Sequence, residues 1–249
     1  MPEGAGRLHG LGVGPGDPEL LTLKALRLLQ SAPVIAYPAP EHGDSFARSI
    51  VGRWIGANQR EIAIRLPMRP GPLPASIYDE GAAVVACELD RGNDVALLCQ
   101  GDPLFYGSFI NLFARLAGRY RIDIVPGVSS LSACAAAAGF PLVWREQALT
   151  VVPATLEADQ LMARLAHADT AAIIKIGRHL PRVRRILERL GLLDDAIYIE
   201  HASLPIQRVG PLAAIEQAAY FSMVLVRNCL RDRRAAGMTD LARRCDGRG

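Results

Sequence analysis

Gly12-Val13-Gly14-Pro15-Gly16-Asp17-Pro18-Glu19-Leu20-Leu21-Thr22 is the stretch on which the fold is read. An apolar run, Leu8–Val13, leads into it, and a helix-like run, Glu19–Gln30, leads out. In the second run Leu20, Leu23, Leu26 and Leu28/Leu29 fall near one face, the spacing of an amphipathic helix. Asp17-Pro18 has the order of an N-cap followed by proline at the first helical position. The stretch therefore predicts a strand, a tight glycine turn and a helix, with backbone able to come close to a ligand.

The same alternation continues along the chain. Val34–Tyr37, Glu61–Leu66, Asp94–Cys99 and Ile122–Val125 are expected as strands, and residues 76–91 and 106–117 as helices. A second series follows Pro126-Gly127: helix 129–138, strand 148–152, helix 159–167, strand 171–176, helix 181–190, and strands 196–200 and 221–227. Strands alternating with helices predict a mainly parallel sheet covered on both faces. The expected organisation is an N-terminal α/β domain over residues 1–126, a C-terminal α/β domain over 127–232, and a basic, flexible tail over 233–249.

Charge excludes some functions. The net charge is +3, but residues 227–249 hold seven arginines against three aspartates, which leaves −1 on the rest. A nucleic-acid groove places its basic charge on the folded body, so no nucleic-acid partner is expected. No run of 18 apolar residues exists and the start, MPEGAGRLHG, has no apolar signal core, so neither a membrane span nor secretion is expected. The five cysteines, Cys87, Cys99, Cys134, Cys229 and Cys245, form no C-x-x-C pair, in keeping with a reducing, cytoplasmic setting.

The glycine turn fits neither common nucleotide loop. A dinucleotide fingerprint needs a third glycine where Asp17 stands, and an acid near the end of the second strand, where Tyr37 stands. A phosphate loop needs Lys followed by Ser or Thr, which is absent, and Pro15 removes an N–H that a phosphate would use. Two further turns occur at strand ends: Gln100-Gly101-Asp102-Pro103-Leu104-Phe105-Tyr106-Gly107, and Pro126-Gly127-Val128-Ser129-Ser130. In open α/β sheets ligands sit at such ends. Each aspartate or serine taken alone is equally an ordinary helix cap.

Taken in order, the three turns resemble the tetrapyrrole methyltransferases, the class III S-adenosylmethionine methyltransferases, over residues 7–227. Within that family the likeness is to the branch that methylates carbon C20 of the macrocycle. It is carried by Val34-Ile-Ala-Tyr-Pro-Ala-Pro40, Leu66-Pro-Met68, Gly101–Ser108, Lys175-Ile-Gly-Arg-His-Leu180 and Tyr198-Ile-Glu-His-Ala-Ser203. The resemblance implies two α/β domains with a ligand cleft between them, a homodimer, and S-adenosylmethionine held largely by backbone, leaving as S-adenosylhomocysteine. Carried over by motif, cofactor contacts fall on Pro15, Gly101, Asp102, Phe105, Ser129 and Ser130, and in the second half on Gly177, Ala202 and Leu225.

The implied substrate is precorrin-2, or its cobalt-containing counterpart cobalt-factor II, a polycarboxylate whose C20 is the nucleophile. Tyr37, Arg48, Lys175 and Arg178 are the candidate substrate contacts, since guanidinium and ammonium groups grip carboxylates. Asp102, Glu200 and His179 are the candidate bases for the proton lost after methylation. No H-E-x-x-H, G-x-S-x-G or clustered Cys/His set occurs, so no metal is expected. The rival readings are a nucleotide-dependent oxidoreductase using the first turn and a non-enzymatic tetrapyrrole carrier.

Overall fold

A computed structural model describes residues 4–67 and 74–228. The arginine-rich tail, Cys229, Cys245 and the Met68 end of the Leu66-Pro-Met68 segment lie outside the described residues. The chain divides into two units, Met1–Ser130 and Leu131–Gly249.

The first unit runs β1 (Arg7–Gly12), α1 (Leu23–Ser31), β2 (Val34–Pro40), α2 (Phe46–Val51), β3 (Arg60–Leu66), α3 (Ala75–Asp90), β4 (Val95–Cys99), α4 (Phe109–Leu116) and β5 (Arg121–Val125). Its five strands are all parallel, in the order β3-β2-β4-β1-β5. β1 and β4 are almost wholly buried, and β4, buried on both faces, is an unbroken apolar run. One face of the sheet packs on α3 and α4 through Val85, Leu89, Phe109, Leu112 and Leu116. The other face packs on α1 and α2 through Ala25, Leu29, Ile50 and Val51.

Three local results depart from expectation. Asp17 does cap a proline-started turn, accepting from Glu19 N–H, but that turn is a 3₁₀ helix over Pro18–Leu20. The α-helix begins only after Thr22, whose hydroxyl accepts from Ala25 N–H. α4 starts at Phe109 rather than near 106, because residues up to 107 form a turn with Tyr106 at φ 56°. β2 runs on through two prolines to Pro40, because its pairing with β4 stops at Ala36 and leaves that side without a ladder.

The second unit comprises α5 (Ser130–Ala137, whose first residue belongs to the first unit), β6 (Leu149–Pro153), α6 (Ala158–Ala166), β7 (Thr170–Ile174), α7 (Leu180–Arg189), β8 (Ala196–Glu200), β9 (Arg208–Pro211) and β10 (Ser222–Arg227). Its sheet is mixed, in the order β6-β7-β10-β8-β9. Only β6 and β7 are parallel, and β10 lies antiparallel between β7 and β8. α6 and α7 cover one face through Leu161, Leu165, Val183 and Leu187. The small residues of α5, Ala133 and Cys134, lie on the other face against Ala172, Ile174, Ile199, Met223 and Leu225. Both units are thus α/β, as expected, with the second departing from a parallel sheet.

Among the described residues, no helix is long and apolar enough to cross a membrane, and no group of three or more His, Cys, Asp or Glu could hold a metal ion.

Candidate functional site

In the first unit the three glycine turns meet at the carboxyl ends of β1, β4 and β5. β1 lies between the other two strands, so the loops after β4 and β5 must cross its end to touch. They do so over Gly12. A Cβ on Gly12 would lie 2.5 Å from Gly127 N and 2.8 Å from Gly101 O, and one on Gly127 would lie 2.1 Å from Gly101 O. These distances are too short for any side chain, so glycine is required at both positions for the loops to close.

Backbone bonds fix the arrangement. Val13 N–H donates to Cys99 O at 2.9 Å. Gly14 and Gly101 exchange N–H···O bonds of 3.3 and 2.7 Å. Gly14 and Gly101 both adopt left-handed backbone, at φ 81° and 66°. Pro15 and Gly16 are buried behind this bridge.

Gly101 differs from Gly12 and Gly127 in one respect. A Cβ there would meet only ordinary contacts: Ser130 N at 3.8 Å, Val128 O at 3.9 Å and Ser129 Cα at 4.0 Å. A Cβ on Gly101, itself buried, would therefore sit at ordinary van der Waals distance from the backbone of residues 128–130 at the start of α5. Phe105, half-buried, stands edge-on to Tyr106 nearby in sequence, with ring centroids 5.1 Å apart. Pro15, Gly101, Phe105, Ser129 and Ser130 all belong to this set of turns. The main chain of these turns forms a cradle at the carboxyl ends of β1, β4 and β5.

Asp102 stands at the same place, but its carboxylate faces inward. Oδ1 accepts from Leu104 N–H at 2.9 Å and Oδ2 from Gly127 N–H at 3.1 Å. Each oxygen thus accepts one main-chain N–H of the turns.

Tyr37 and Arg48 lie on the α1/α2 side of the sheet. The Arg48 guanidinium donates twice to Glu61, from Nε at 2.7 Å and Nη2 at 2.9 Å. The pair holds the Glu61 carboxyl below the usual carboxylate range. The Tyr37 hydroxyl is pushed up, by burial first and then by its bond to Glu61. Arg48 is thus paired with a carboxylate of its own chain.

In the second unit the candidates gather where β7 and β8 end and β10 begins. Lys175, directly after β7, has φ 57°, and His201 and Ser203, directly after β8, have φ 51° and 71°. Left-handed backbone at non-glycine residues costs about 1–2 kcal/mol each and concentrates at functional sites. His201 N–H donates to Phe221 O at 2.9 Å, closing the sheet edge. Lys175 and Arg178 are exposed, and Gly177 opens a short 3₁₀ turn with nothing within 4 Å of its Cβ direction.

His179 Nδ1 lies 3.1 Å from Arg182 Nη2. Burial first, then Arg182 and Arg178, lower the His179 pKa. With Nδ1 accepting from the guanidinium, the ring proton sits on Nε2 and the imidazole offers no acceptor.

Glu200 is likewise committed. It is 7% exposed, and accepts from the Tyr198 hydroxyl at 2.6 Å and from Arg208 at 3.0 Å. The Tyr198 oxygen in turn accepts Ala219 N–H at 2.9 Å. This network ties β8, β9 and the segment before β10 together. Leu225 lies in the middle strand, 0% exposed, inside the apolar cluster under α5. Ala202 is buried at 8% beside the same cluster. What the sequence reading missed at this edge is the strain at His201 and Ser203, whose residue types give no sign of left-handed backbone.

The fold and the backbone cradle define a class before they define a reaction. The structure of uroporphyrin-III C-methyltransferase from Thermus thermophilus complexed with S-adenosylhomocysteine is similar to this chain. It has a TM-score of 0.65 and 25% identity, covering 91% of this chain and 99% of that one. The chain belongs to the tetrapyrrole (corrin/porphyrin) methylases, whose family model matches residues 7–216. These are S-adenosylmethionine-dependent methyltransferases. The precorrin-2 C(20)-methyltransferase of a Sinorhizobium species is 40% identical over 234 residues, 90% of this chain and 96% of that protein. The cobalt-precorrin-2 C(20)-methyltransferase of Salmonella typhimurium is 32% identical over 202 residues, 80% of this chain and 85% of its own length. Cobalamin biosynthesis protein CobIJ of Mycobacterium tuberculosis is 43% identical over 232 residues, 89% of this chain but 46% of that protein, so the chain spans about half its length.

The residues present fit the family's methyl donor. A Cβ on Gly101 would meet only ordinary contacts, all from main chain of residues 128–130. This is the polar, close-approach surface that an amino acid–nucleoside conjugate requires.

Proposed function

We propose that this chain transfers a methyl group from S-adenosylmethionine to C20 of precorrin-2, giving precorrin-3A in cobalamin biosynthesis. The observation that carries this reading is the near end-to-end match, 40% identical, to a protein named for that reaction. The backbone cradle at Gly101 supports the donor half of it.

When bound, the sulfonium supplies an electrophilic methyl and a neutral thioether leaving group. The work left to the chain is positioning, which alone supplies a large part of such a barrier. Main chain around Gly14, Gly101 and residues 128–130 holds the donor, with Pro15 and Phe105 shaping the pocket. Lys175 and Arg178, exposed at the end of β7, meet substrate carboxylates; the strain at Lys175 is the backbone cost of presenting it there. The carboxylates of Asp102 and Glu200 and the Nδ1 of His179 are hydrogen-bonded within the fold, and in this reading the proton lost from the methylated macrocycle passes to solvent. The working state is a homodimer, which light scattering on the purified protein checks.

Incubation with ¹³C-methyl-labelled S-adenosylmethionine and precorrin-2, followed by carbon NMR, tests the assignment. A single new methyl at C20 is expected, and no transfer, or transfer to another carbon, refutes it. A second reading, methylation of the cobalt-containing macrocycle, is favoured by the similarity to the Salmonella protein. Parallel turnover of metal-free and cobalt substrates separates the two.

A further inference from the structure

We infer that Asp102 is a positioning residue: its carboxylate ties the loop after β4 to the loop after β5 and so sets the width of the cradle that receives the methyl donor. The inference rests on the donor site proposed above. β4 and β5 are not neighbours, since β1 lies between them, and no strand ladder fixes the spacing of their loops. Across the end of β1 the loops touch at Gly12, Gly101 and Gly127, contacts that only limit how closely they approach. The Gly127 N–H donating to Asp102 Oδ2 at 3.1 Å is an attractive link made directly between the two loops.

The other oxygen explains why the side chain points that way. Oδ1 accepts Leu104 N–H at 2.9 Å, which locks the Asp102 side chain against its own turn, and Phe105 N–H closes that turn onto Asp102 O at 3.3 Å. A side chain fixed locally by one oxygen thus holds a residue 25 positions away with the other. Gly127 leads within three residues into Ser130, whose N lies 3.8 Å from where a Cβ on Gly101 would sit. Loss of the link frees the Val128–Ser130 rim to swing away from Gly101, with the strands themselves intact.

Asp102→Asn is the informative change. Its amide oxygen keeps the Leu104 bond, but an NH₂ now faces the Gly127 N–H, donor against donor. Asp102→Ser, able to cap the turn but too short to reach Gly127, is the second variant. Asp169→Asn is the control, because Asp169 Oδ2 accepts a backbone N–H, from Ala148 at 3.0 Å, in the second unit.

Two readouts are needed: amide hydrogen exchange over residues 126–131 without ligand, and S-adenosylhomocysteine affinity by calorimetry. Both Asp102 variants are expected to exchange faster at Gly127 and to bind S-adenosylhomocysteine roughly tenfold or more weakly, the scale of losing one charge-assisted bond. Asp169→Asn should change neither. Unchanged exchange in the Asp102 variants, faster exchange with unchanged affinity, or an equal loss in Asp169→Asn would each overturn the inference. Failure of the wild-type protein to bind S-adenosylhomocysteine would instead refute the donor site, and the positioning role with it, while the exchange data still report on the tether.

Discussion

Gly12→Ala tests whether the meeting of three loops over the end of β1 is as tight as the structure has it. The added methyl would lie 2.5 Å from Gly127 N, 2.6 Å from Gly127 Cα and 2.8 Å from Gly101 O. Ordinary contacts at these pairs are near 3.5–4.0 Å, so a gap of about an ångström must open. All three neighbours are backbone, so no rotamer change can relieve the overlap. Overpacking costs about 1–3 kcal/mol where side chains can shift, and occasionally more. With only main chain to move, a loss of about 3 kcal/mol is expected. For a chain of this size that corresponds to a fall in melting temperature of roughly 6–12 °C.

Urea denaturation monitored by circular dichroism gives the free energy, and Gly210→Ala is the control. Gly210 sits in β9 with nothing within 4 Å of its Cβ direction, so its change should stay within about 0.5 kcal/mol. Gly101→Ala is the counterpart: its methyl fits, and the left-handed φ of 66° costs about 1–2 kcal/mol, but the methyl fills the face proposed for the donor. A Gly12→Ala protein within about 0.5 kcal/mol of wild type would show that the loops are not in contact and would remove the basis for the cradle.

Other consequences follow from the same geometry. Glu88, 2% exposed, accepts from Arg60, Arg91 and Asn93. Its pKa is held down chiefly by the Asn93 bond, so its contribution is present above the ordinary value of 4.5 and is lost as pH falls below it. Glu88→Gln should cost about 1.5–3 kcal/mol at pH 7 and flatten the acid limb of a stability–pH curve; an unchanged limb counts against this. Burial lowers the His9 pKa below 6.5 despite the nearby Asp94 and Asp123. The unfolded chain therefore binds the proton more readily, and stability drops as pH falls through 6.5, by at most about 1.4 kcal/mol per pH unit. His9→Gln should abolish that slope in denaturation curves between pH 5 and 7. Arg48→Ala removes a half-exposed ion pair worth at most about 1 kcal/mol and should leave the KM for the tetrapyrrole unchanged, whereas Lys175→Gln should raise it; the reverse order of KM values would return Arg48 to the substrate site.

Elements buried on both faces, or on one regular stripe, were legible because burial leaves a periodic trace. β4, Val-Ala-Leu-Leu-Cys, is wholly buried, and α7 places Val183, Ile186 and Leu187 on one side. β9 left no such trace: it is an exposed edge strand, Arg-Val-Gly-Pro, which exists because β8 offers a free edge. α2 is too short for its period to stand out, and starts from a Ser45 cap in a region without an apolar run. The direction of β10 is likewise a tertiary fact. Its apolar pattern is the same whether it runs with or against β7.

The site divides along the same line. The glycine turns could be found because close backbone approach requires a particular residue, and the contacts at Gly12 and Gly127 show that requirement directly. Charged side chains carry no comparable signature. Asp102, Arg48, Glu200 and His179 all had the residue type suited to grip a ligand or take a proton, and each has a partner in its own chain. The partner lies 25, 13, 2 and 3 residues away respectively, and in every case it was present in the sequence without a pattern to mark it. A methylase whose donor brings its own leaving group can tolerate this, because its demand is for held geometry rather than for a free acid or base. Charged residues near such a site are therefore best read first as candidates for holding loops, and only afterwards as candidates for chemistry.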